Sequence, residues 1–178
     1  MKEALVIIDI QMDYFQKDAM FFLESGDRAA AAARELLACF RKRDMPVFHI
    51  KHENPAGRGF MEEGTAGTAF HPSVQPTENE TIVRKRWPNA FFETNLSKEL
   101  KARQIEKLTI IGFMANMCVD ATVRSAREHG FAVDIVPEAV AACPIGDLTA
   151  EQVKTAFVGA LTGLVATGVP LNEKLSNL

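Results

Sequence analysis

The residue best placed to do chemistry is a cysteine between an apolar run and a helical pattern. Cys118 follows the apolar segment 108–113, and the pattern predicts that a helix begins at the cysteine. The positive N-terminal end of a helix favours thiolate over thiol, and the thiolate is the nucleophilic form. Many cysteines are simply small core residues, so position alone leaves a structural role open for Cys118.

Two further charged residues lie at the ends of predicted strands. Asp9 follows the apolar run 4–8, and Lys85 follows the strand-like segment 81–83. Ligands of open parallel sheets bind outside the carboxyl ends of the strands, so we expect Asp9, Lys85 and Cys118 to converge. Each residue taken alone has an ordinary explanation, Asp9 as a turn cap and Lys85 as a solvated charge.

Three motifs around these residues resemble the isochorismatase-like cysteine hydrolases, a family that includes nicotinamidase and other small-amide hydrolases. Residues 9–14 (DIQMDY) are similar to the family's D-x-Q-x-D-F, and residues 85–91 (KRWPNAF) to its K-x-x-x-S-A-F, with Asn89 in place of serine. The third match, residues 112–124 around Cys118, is the closest of the three. One short motif has little weight, whereas three in the family's order indicate membership.

Amide hydrolysis by this set needs a nucleophile, a base and a stabilising charge. We expect Cys118 to attack the carbonyl and Asp9 to take the thiol proton, pass it to the departing amine and then activate water. Lys85 stabilises the other two charges, and Asp13 has a supporting role. The resemblance also implies an oxyanion hole of backbone N–H groups at Met114 and Cys118, with a cis peptide between Phe113 and Met114.

The substrate pocket is expected near the first two motifs. Arg58, Arg84 and Arg86 are available to a substrate carboxylate, although solvated charge is their ordinary role. The six side chains assigned to the pocket are Gln11, Tyr14, Phe15, Trp87, Asn89 and Phe91.

Neither a metal nor another cofactor is expected. Nicotinamidases carry a D-x-H…H metal site, and this chain offers His49 and His52 at the corresponding strand end. Side chains three apart on a strand point to opposite faces, so they form no ready ligand pair. This argues against nicotinamide as the substrate.

Composition excludes several partners. The net charge of −3 and the scattered basic residues give no footprint for nucleic acid or an anionic membrane. Nothing at the start of the sequence resembles a signal peptide, and the uncharged stretch 155–172 is too interrupted by Gly, Thr and Pro for a membrane span. The three cysteines form no C-x-x-C pair, which favours a reducing cytoplasm. Cys39 and Cys143 are interpreted as structural.

Strand and helix patterns alternate along the chain, which predicts one α/β domain over residues 1–178. Continuous apolar strands indicate a mainly parallel sheet covered by helices on both faces, a three-layer α/β/α sandwich of Rossmann type. Six strands are predicted at 4–8, 47–50, 81–83, 108–111, 132–136 and 164–166, with helices at about 28–43, 96–103, 118–129 and 150–159.

The segment 53–76 interrupts this alternation. It is rich in Gly and Pro, and connections of this length in compact domains are commonly lids or binding loops. We expect it to lie over the active site. Its apolar residues Phe60, Met61 and Phe70 suggest an interface, so a homo-oligomer, dimer or larger, is predicted.

Three function classes stay open at this point. The leading one is a cysteine amidohydrolase acting on a small C–N substrate. Vinyl ether hydrolysis, the isochorismatase reaction, is disfavoured by Cys118, because those relatives lack the cysteine. A nucleotide- or flavin-binding module is disfavoured by a first turn without glycine that places Asp9 and Asp13 where phosphates would lie. A thiol redox protein would need a nearby resolving cysteine.

Overall fold

The structure, a computed structural model, describes residues 1–178 and contains one six-stranded sheet. The strand order is β3-β2-β1-β4-β5-β6, and every pairing is parallel. The predicted parallel α/β sheet is therefore confirmed. Its strands are β1 (Glu3–Ile8), β2 (Val47–His52), β3 (Thr81–Lys85), β4 (Lys107–Phe113), β5 (Ala132–Ala141) and β6 (Thr167–Gly168).

Five helices cover the two faces of the sheet: α1 (Gly26–Lys42), α2 (Leu96–Ala102), α3 (Asp120–Glu128), α4 (Ala150–Leu161) and α5 (Leu171–Asn177). Successive side chains of a strand point to opposite faces. In β1, Leu5 and Ile7 pack with α1 and α5, whereas Val6 and Ile8 pack with α2, α3 and α4. Both faces of the sheet are thus buried. No helix combines the length and the apolar character that a membrane span requires.

Two predicted elements differ from the structure. The apolar trio 164–166 forms a turn closing α4, in which Gly163 N donates to Ala166 O, so the last strand is only Thr167–Gly168. The helix predicted from Cys118 begins at Asp120 instead, because a π-helical turn precedes it at Ala115–Val119. Such turns are frequent at functional sites.

The ends of β1 and β4 approach closely at the point where the strand order reverses. Gly112 has φ +121°, and a Cβ there would lie 2.0 Å from the carbonyl oxygen of Ile8. Only glycine therefore fits this contact. Asp9, immediately after β1, also has a positive φ of 52°. Residues other than glycine adopt this conformation rarely, and many of the examples lie at functional sites. Open α/β sheets bind ligands at such a switch point.

The segment 53–76 is folded onto the domain. It contains short 3₁₀ turns at Ala66–Thr68 and Pro72–Val74. The Asp13 carboxylate accepts a hydrogen bond from Met61 N, and it packs so closely on Gly67 that a Cβ there would lie 1.9 Å from its oxygen. Asp13 thus anchors the segment.

The apolar residues of this segment are buried within the chain, not exposed. Phe60, Met61 and Phe70 all lie in the interior, with Phe60 and Met61 part of the core beside α1. The sequence argument that they need a neighbouring subunit was therefore wrong. A homo-oligomer stays a prediction without that support.

Candidate active site

The three predicted catalytic side chains meet at the carboxyl edge of the sheet. Lys85 Nζ lies 2.7 Å from Asp9 Oδ2 and donates a hydrogen bond of 3.2 Å to Cys118 Sγ. Asp9, Lys85 and Cys118 are only 0%, 3% and 6% exposed. They come from the end of β1, the end of β3 and the turn after β4, so parallel strand ends bring together residues that are distant in sequence.

A fourth residue, His52, completes this cluster and was not assigned to the site from sequence. Lys85 Nζ donates to His52 Nδ1 at 2.9 Å, and His52 Nε2 lies 3.0 Å from Asn54 Oδ1. Because Nδ1 accepts from an ammonium, the proton of the neutral ring lies on Nε2. All three N–H groups of Lys85 thus face an acceptor. A usable signal existed, since His52 ends β2, which lies between β1 and β3.

His49 lies apart from this cluster, as its spacing from His52 predicts. Its ring is fully buried, and its Nε2 lies 2.9 Å from Glu80 Oε2. Burial lowers the pKa of His49 and outweighs the effect of Glu80, so the ring is neutral at neutral pH. His49 and His52 therefore belong to different clusters and do not form a metal-binding pair.

Asp9, His52 and Cys118 nevertheless present three potential metal ligands within 4.8 Å of one another. The Lys85 ammonium contacts all three of them, at 2.7, 2.9 and 3.2 Å. These donors already surround a positive charge, and a metal ion would have to displace the lysine. The arrangement therefore does not fit a metal centre.

Electrostatics set the protonation states of the cluster. Burial raises the pKa of the Cys118 thiol to about 12, the Asp9 carboxylate adds to this effect, and Lys85 opposes it only in part. Burial lowers the pKa of Lys85, but the facing Asp9 and Cys118 more than reverse this, so the net pKa is raised and the lysine stays charged. Burial and Lys85 both lower the pKa of His52. The Cys118 thiol is therefore protonated at rest, because burial outweighs the effect of the helix end, and a base such as Asp9 is needed to remove its proton.

The turn after β4 orients the cysteine. The peptide bond between Phe113 and Met114 is cis. The carbonyl of Met114 accepts hydrogen bonds from Met117 N and Val119 N, both at 3.1 Å, which closes the π-helical turn. Cys118 lies within this turn and directs its thiol toward Lys85.

A cavity of about 590 Å³ opens beside the thiol. Its walls come from the segment after β1, the segment after β2, the π-helical turn and the segment after β5. The lining residues are Tyr14, Ala19, Met20, Phe21, Phe22, His52, Asn54, Phe60, Pro88, Met114, Asn116, Met117, Cys118, Cys143, Pro144 and Ile145.

Of the six predicted pocket residues, Tyr14 alone lines this cavity. Gln11 and Phe15, predicted from the same motif, make structural contacts instead. Gln11 is fully buried, donating to the carbonyls of His52 and Thr68 at 2.9 and 3.0 Å and accepting from His52 N at 2.8 Å. Phe15 stacks on His71 at 4.1 Å between ring centroids. Gln11 therefore joins the ends of β1 and β2 to the segment 53–76.

The three pocket residues predicted after β3 also lie outside the cavity lining, because the chain turns away from it there. Trp87 is 52% exposed and donates to Glu93. Asn89 accepts a hydrogen bond from the backbone N of Phe91 at 2.8 Å, which stabilises the turn. Phe91 packs in the core and stacks on His129 at 4.8 Å. Only Pro88 of this turn reaches the cavity.

Cys143 was interpreted from the sequence as structural, and it also lines the cavity. It is half-buried, and its thiol lies 3.7 Å from the carbonyl oxygen of Phe22. Burial raises the pKa of Cys143. No lysine contacts this thiol, so Cys143 provides a natural comparison for Cys118.

The parallel sheet with helices on both faces has the fold of the isochorismatase-like hydrolases. A family model described as the isochorismatase domain matches residues 3–166. The chain belongs to the isochorismatase family.

Individual relatives agree with this assignment. The chain is 42% identical over 172 residues to the uncharacterised isochorismatase family protein YddQ of Bacillus subtilis, with 94% of this chain and 95% of that protein covered. It is 29% identical over 153 residues to maleamate amidohydrolase of Pseudomonas putida, covering 78% and 72%. The crystal structure of an isochorismatase-type hydrolase from Oleispira antarctica superimposes with a TM-score of 0.94 at 35% identity, covering 98% and 96%.

Proposed function

We propose that the chain is a cysteine-dependent amidohydrolase, which cleaves a C–N bond of a small molecule through a thioester on Cys118. The observation that carries this proposal is the Lys85 ammonium, which contacts both a buried carboxylate, Asp9, and a buried thiol at the floor of a cavity. The similarity of the chain to maleamate amidohydrolase supports the reaction class.

The first half-reaction transfers the acyl group to the enzyme. Asp9 takes the proton of the Cys118 thiol as the sulfur attacks the substrate carbonyl, and Lys85 stabilises the thiolate that develops. Because the thiol is protonated at rest, this transfer accompanies substrate attack. When the tetrahedral intermediate collapses, the C–N bond breaks and Asp9 returns the proton to the leaving nitrogen. The products of this half are an amine or ammonia and the thioester.

The second half-reaction releases the acid. Asp9, again a carboxylate, takes a proton from water, the hydroxide attacks the thioester, and the proton returns to the Cys118 sulfur. The oxyanion of both tetrahedral intermediates needs preorganised donors. We assign this role to the backbone N–H groups of Met114 and Cys118, at the cis peptide and in the π-helical turn beside the cavity.

Trapping the acyl-enzyme tests this proposal. Wild-type protein is incubated with a panel of small primary amides, ammonia release is measured, and acid-quenched samples are analysed by peptide mass spectrometry. We expect ammonia release and an acyl adduct on Cys118.

The matched control is Cys143→Ala, which removes the other thiol of the same cavity. This variant should keep both signals, whereas Cys118→Ala should lose both. An adduct on Cys143, or unchanged ammonia release by Cys118→Ala, would contradict the proposal.

A further inference from the structure

The cavity beside Cys118 has a chemical character that restricts the substrate. Building on the proposed amidohydrolase function, we propose that this cavity selects uncharged amides whose acyl group is apolar, aromatic or branched, over amides of the same size that carry a carboxylate. The maleamate relative is named for a substrate that does carry one, so this selection would distinguish the two proteins.

The first support is the absence of charge on the cavity wall. Of the 16 lining residues, none is Asp, Glu, Lys or Arg, and 11 are hydrophobic. An ionised carboxylate buried without a partner loses its hydration and gains nothing in return. His52 is the one wall side chain that could become a cation, and it offers no positive charge, since burial and Lys85 both lower its pKa.

The arginines that the sequence offered to a substrate carboxylate are not available there. Arg84 is bound to Glu53 at 2.8 Å, and Arg86 lies 3.5 Å from Glu63. Both line a separate depression beside Trp87. Arg58 is exposed and does not line the cavity.

Lys85 cannot take this role either. Its ammonium already faces the Asp9 carboxylate, the His52 ring and the Cys118 thiol, which accounts for its three N–H groups. It is 3% exposed and is not part of the cavity wall. A substrate carboxylate would have to compete with Asp9 for the same ammonium.

The second support is the packing of the wall. Phe60 contacts Tyr14 and Phe21 edge to face, with ring centroids 5.2 and 4.9 Å apart. Such aromatic walls suit another ring, which gains edge-to-face contacts and apolar burial. Met20 and Met117, both exposed, stand at the rim, and methionine adapts to different shapes. A volume of about 590 Å³ exceeds the needs of an acetyl group and accepts a substituted benzoyl group.

Two pairs of matched amides test the selection. The pairs are 4-isopropylbenzamide with 4-carboxybenzamide, and 4-methylpentanamide with succinamate; in each pair an isopropyl group replaces the carboxylate of the same shape. We expect kcat/KM from ammonia release to be higher for the uncharged member of each pair by about 100-fold, reflecting the unpaired carboxylate. Equal or better turnover of the charged members would overturn the inference while leaving the amidohydrolase in place.

Binding to Cys118→Ala separates this inference from the proposed function. Calorimetry with the same four amides should show tighter binding of the uncharged member of each pair. If that preference holds but wild type releases no ammonia, the proposed reaction fails and the selectivity stands. If the carboxylates bind as tightly or more tightly, the selectivity fails.

A charge placed at the rim gives the converse test. Met117→Arg should narrow the preference for the uncharged amide by about tenfold, because it supplies the missing cation. The matched control is Leu164→Arg, an exposed residue that does not line the cavity and should leave the ratio unchanged. An unchanged ratio in Met117→Arg, or an equal change in Leu164→Arg, would contradict the inference.

Discussion

Two buried lysine clusters lie at opposite ends of the same parallel sheet. At the carboxyl end, Lys85 contacts Asp9 and Cys118. At the amino end, Lys174 of α5 contacts Asp134 at 2.8 Å and also Glu3, the first residue of β1. Both lysines are almost fully buried, and both face carboxylates, so burial and pairing alone do not distinguish a reactive cluster from a structural one.

The two clusters differ in how many hydrogen bonds their carboxylates already accept. Asp134 accepts from Lys174 and Lys107, and Glu3 accepts from Lys174 and from the Thr109 hydroxyl. Asp9, in contrast, lies 2.7 Å from Lys85, yet neither of its buried oxygens has a well-aligned hydrogen bond. A carboxylate with spare acceptor capacity beside a thiol and a cavity can receive a proton. The amino-end cluster has no cavity-facing nucleophile and ties α5 to the sheet.

The largest effect is expected from removing the thiol or the base. Cys118→Ala and Asp9→Asn should each reduce kcat by about 10³-fold or more, because both act in the same proton transfer. For the same reason, combining them should cost little beyond either alone. Ammonia-release kinetics measure these losses, and circular dichroism checks that each variant is folded. Near-native turnover by Asp9→Asn would remove the base assignment.

Replacing the two lysines separates the clusters directly. Lys174→Met should lower the free energy of unfolding by about 3 kcal/mol, because it leaves buried carboxylates short of a partner, while kcat of the folded protein is unchanged. Lys85→Met should abolish turnover. Urea unfolding and kinetics on the same preparations provide both numbers. Loss of kcat in Lys174→Met at full stability would show that the amino-end cluster also serves the reaction.

The smallest effect is expected at His52, the third acceptor of Lys85. His52→Leu should lower kcat by about tenfold, since Lys85 loses one of its three contacts, and His52→Gln should recover part of the loss by accepting from it. KM should change less than kcat. A rise in KM with kcat unchanged would indicate that His52 contacts substrate and does not position Lys85.

The same residue predicts an acid limb in the pH profile. The pKa of His52 in the folded protein lies below the ordinary 6.5. The ring therefore stays neutral until the pH falls below this lowered pKa. Protonation then places a second cation against Lys85, with Asp9 and Cys118 as the other facing groups, and kcat should fall. Below pH 6.5, His52 binds fewer protons in the folded chain than in the unfolded chain. The free energy of unfolding therefore also falls as the pH decreases below 6.5. In His52→Gln this part of both profiles should flatten.

The sheet and the central cluster were predictable because parallel strands place their carboxyl ends together whatever the sequence distance. Asp9, Lys85 and Cys118 could be recognised from strand ends and motifs. The cavity wall could not, since Phe60 and the residues after β5 belong to no local pattern and meet only in the folded chain. Trp87 was predicted to line the pocket because it lies close to Lys85 in the sequence. Its side chain lies outside the cavity, since residues of one motif need not point in one direction.

The side chain of Asn54 has a consequence for how selectivity and rate relate. Its oxygen lies 3.0 Å from the His52 ring nitrogen, and its amide nitrogen donates to the carbonyl of Phe60 at 2.8 Å. One amide therefore joins the aromatic wall of the cavity to the ring that contacts Lys85. A substrate that displaces Phe60 would strain the hydrogen bond from the His52 ring to Asn54, which helps to orient that ring. Redesign of the wall should thus alter turnover as well as affinity, unless Asn54 keeps both partners.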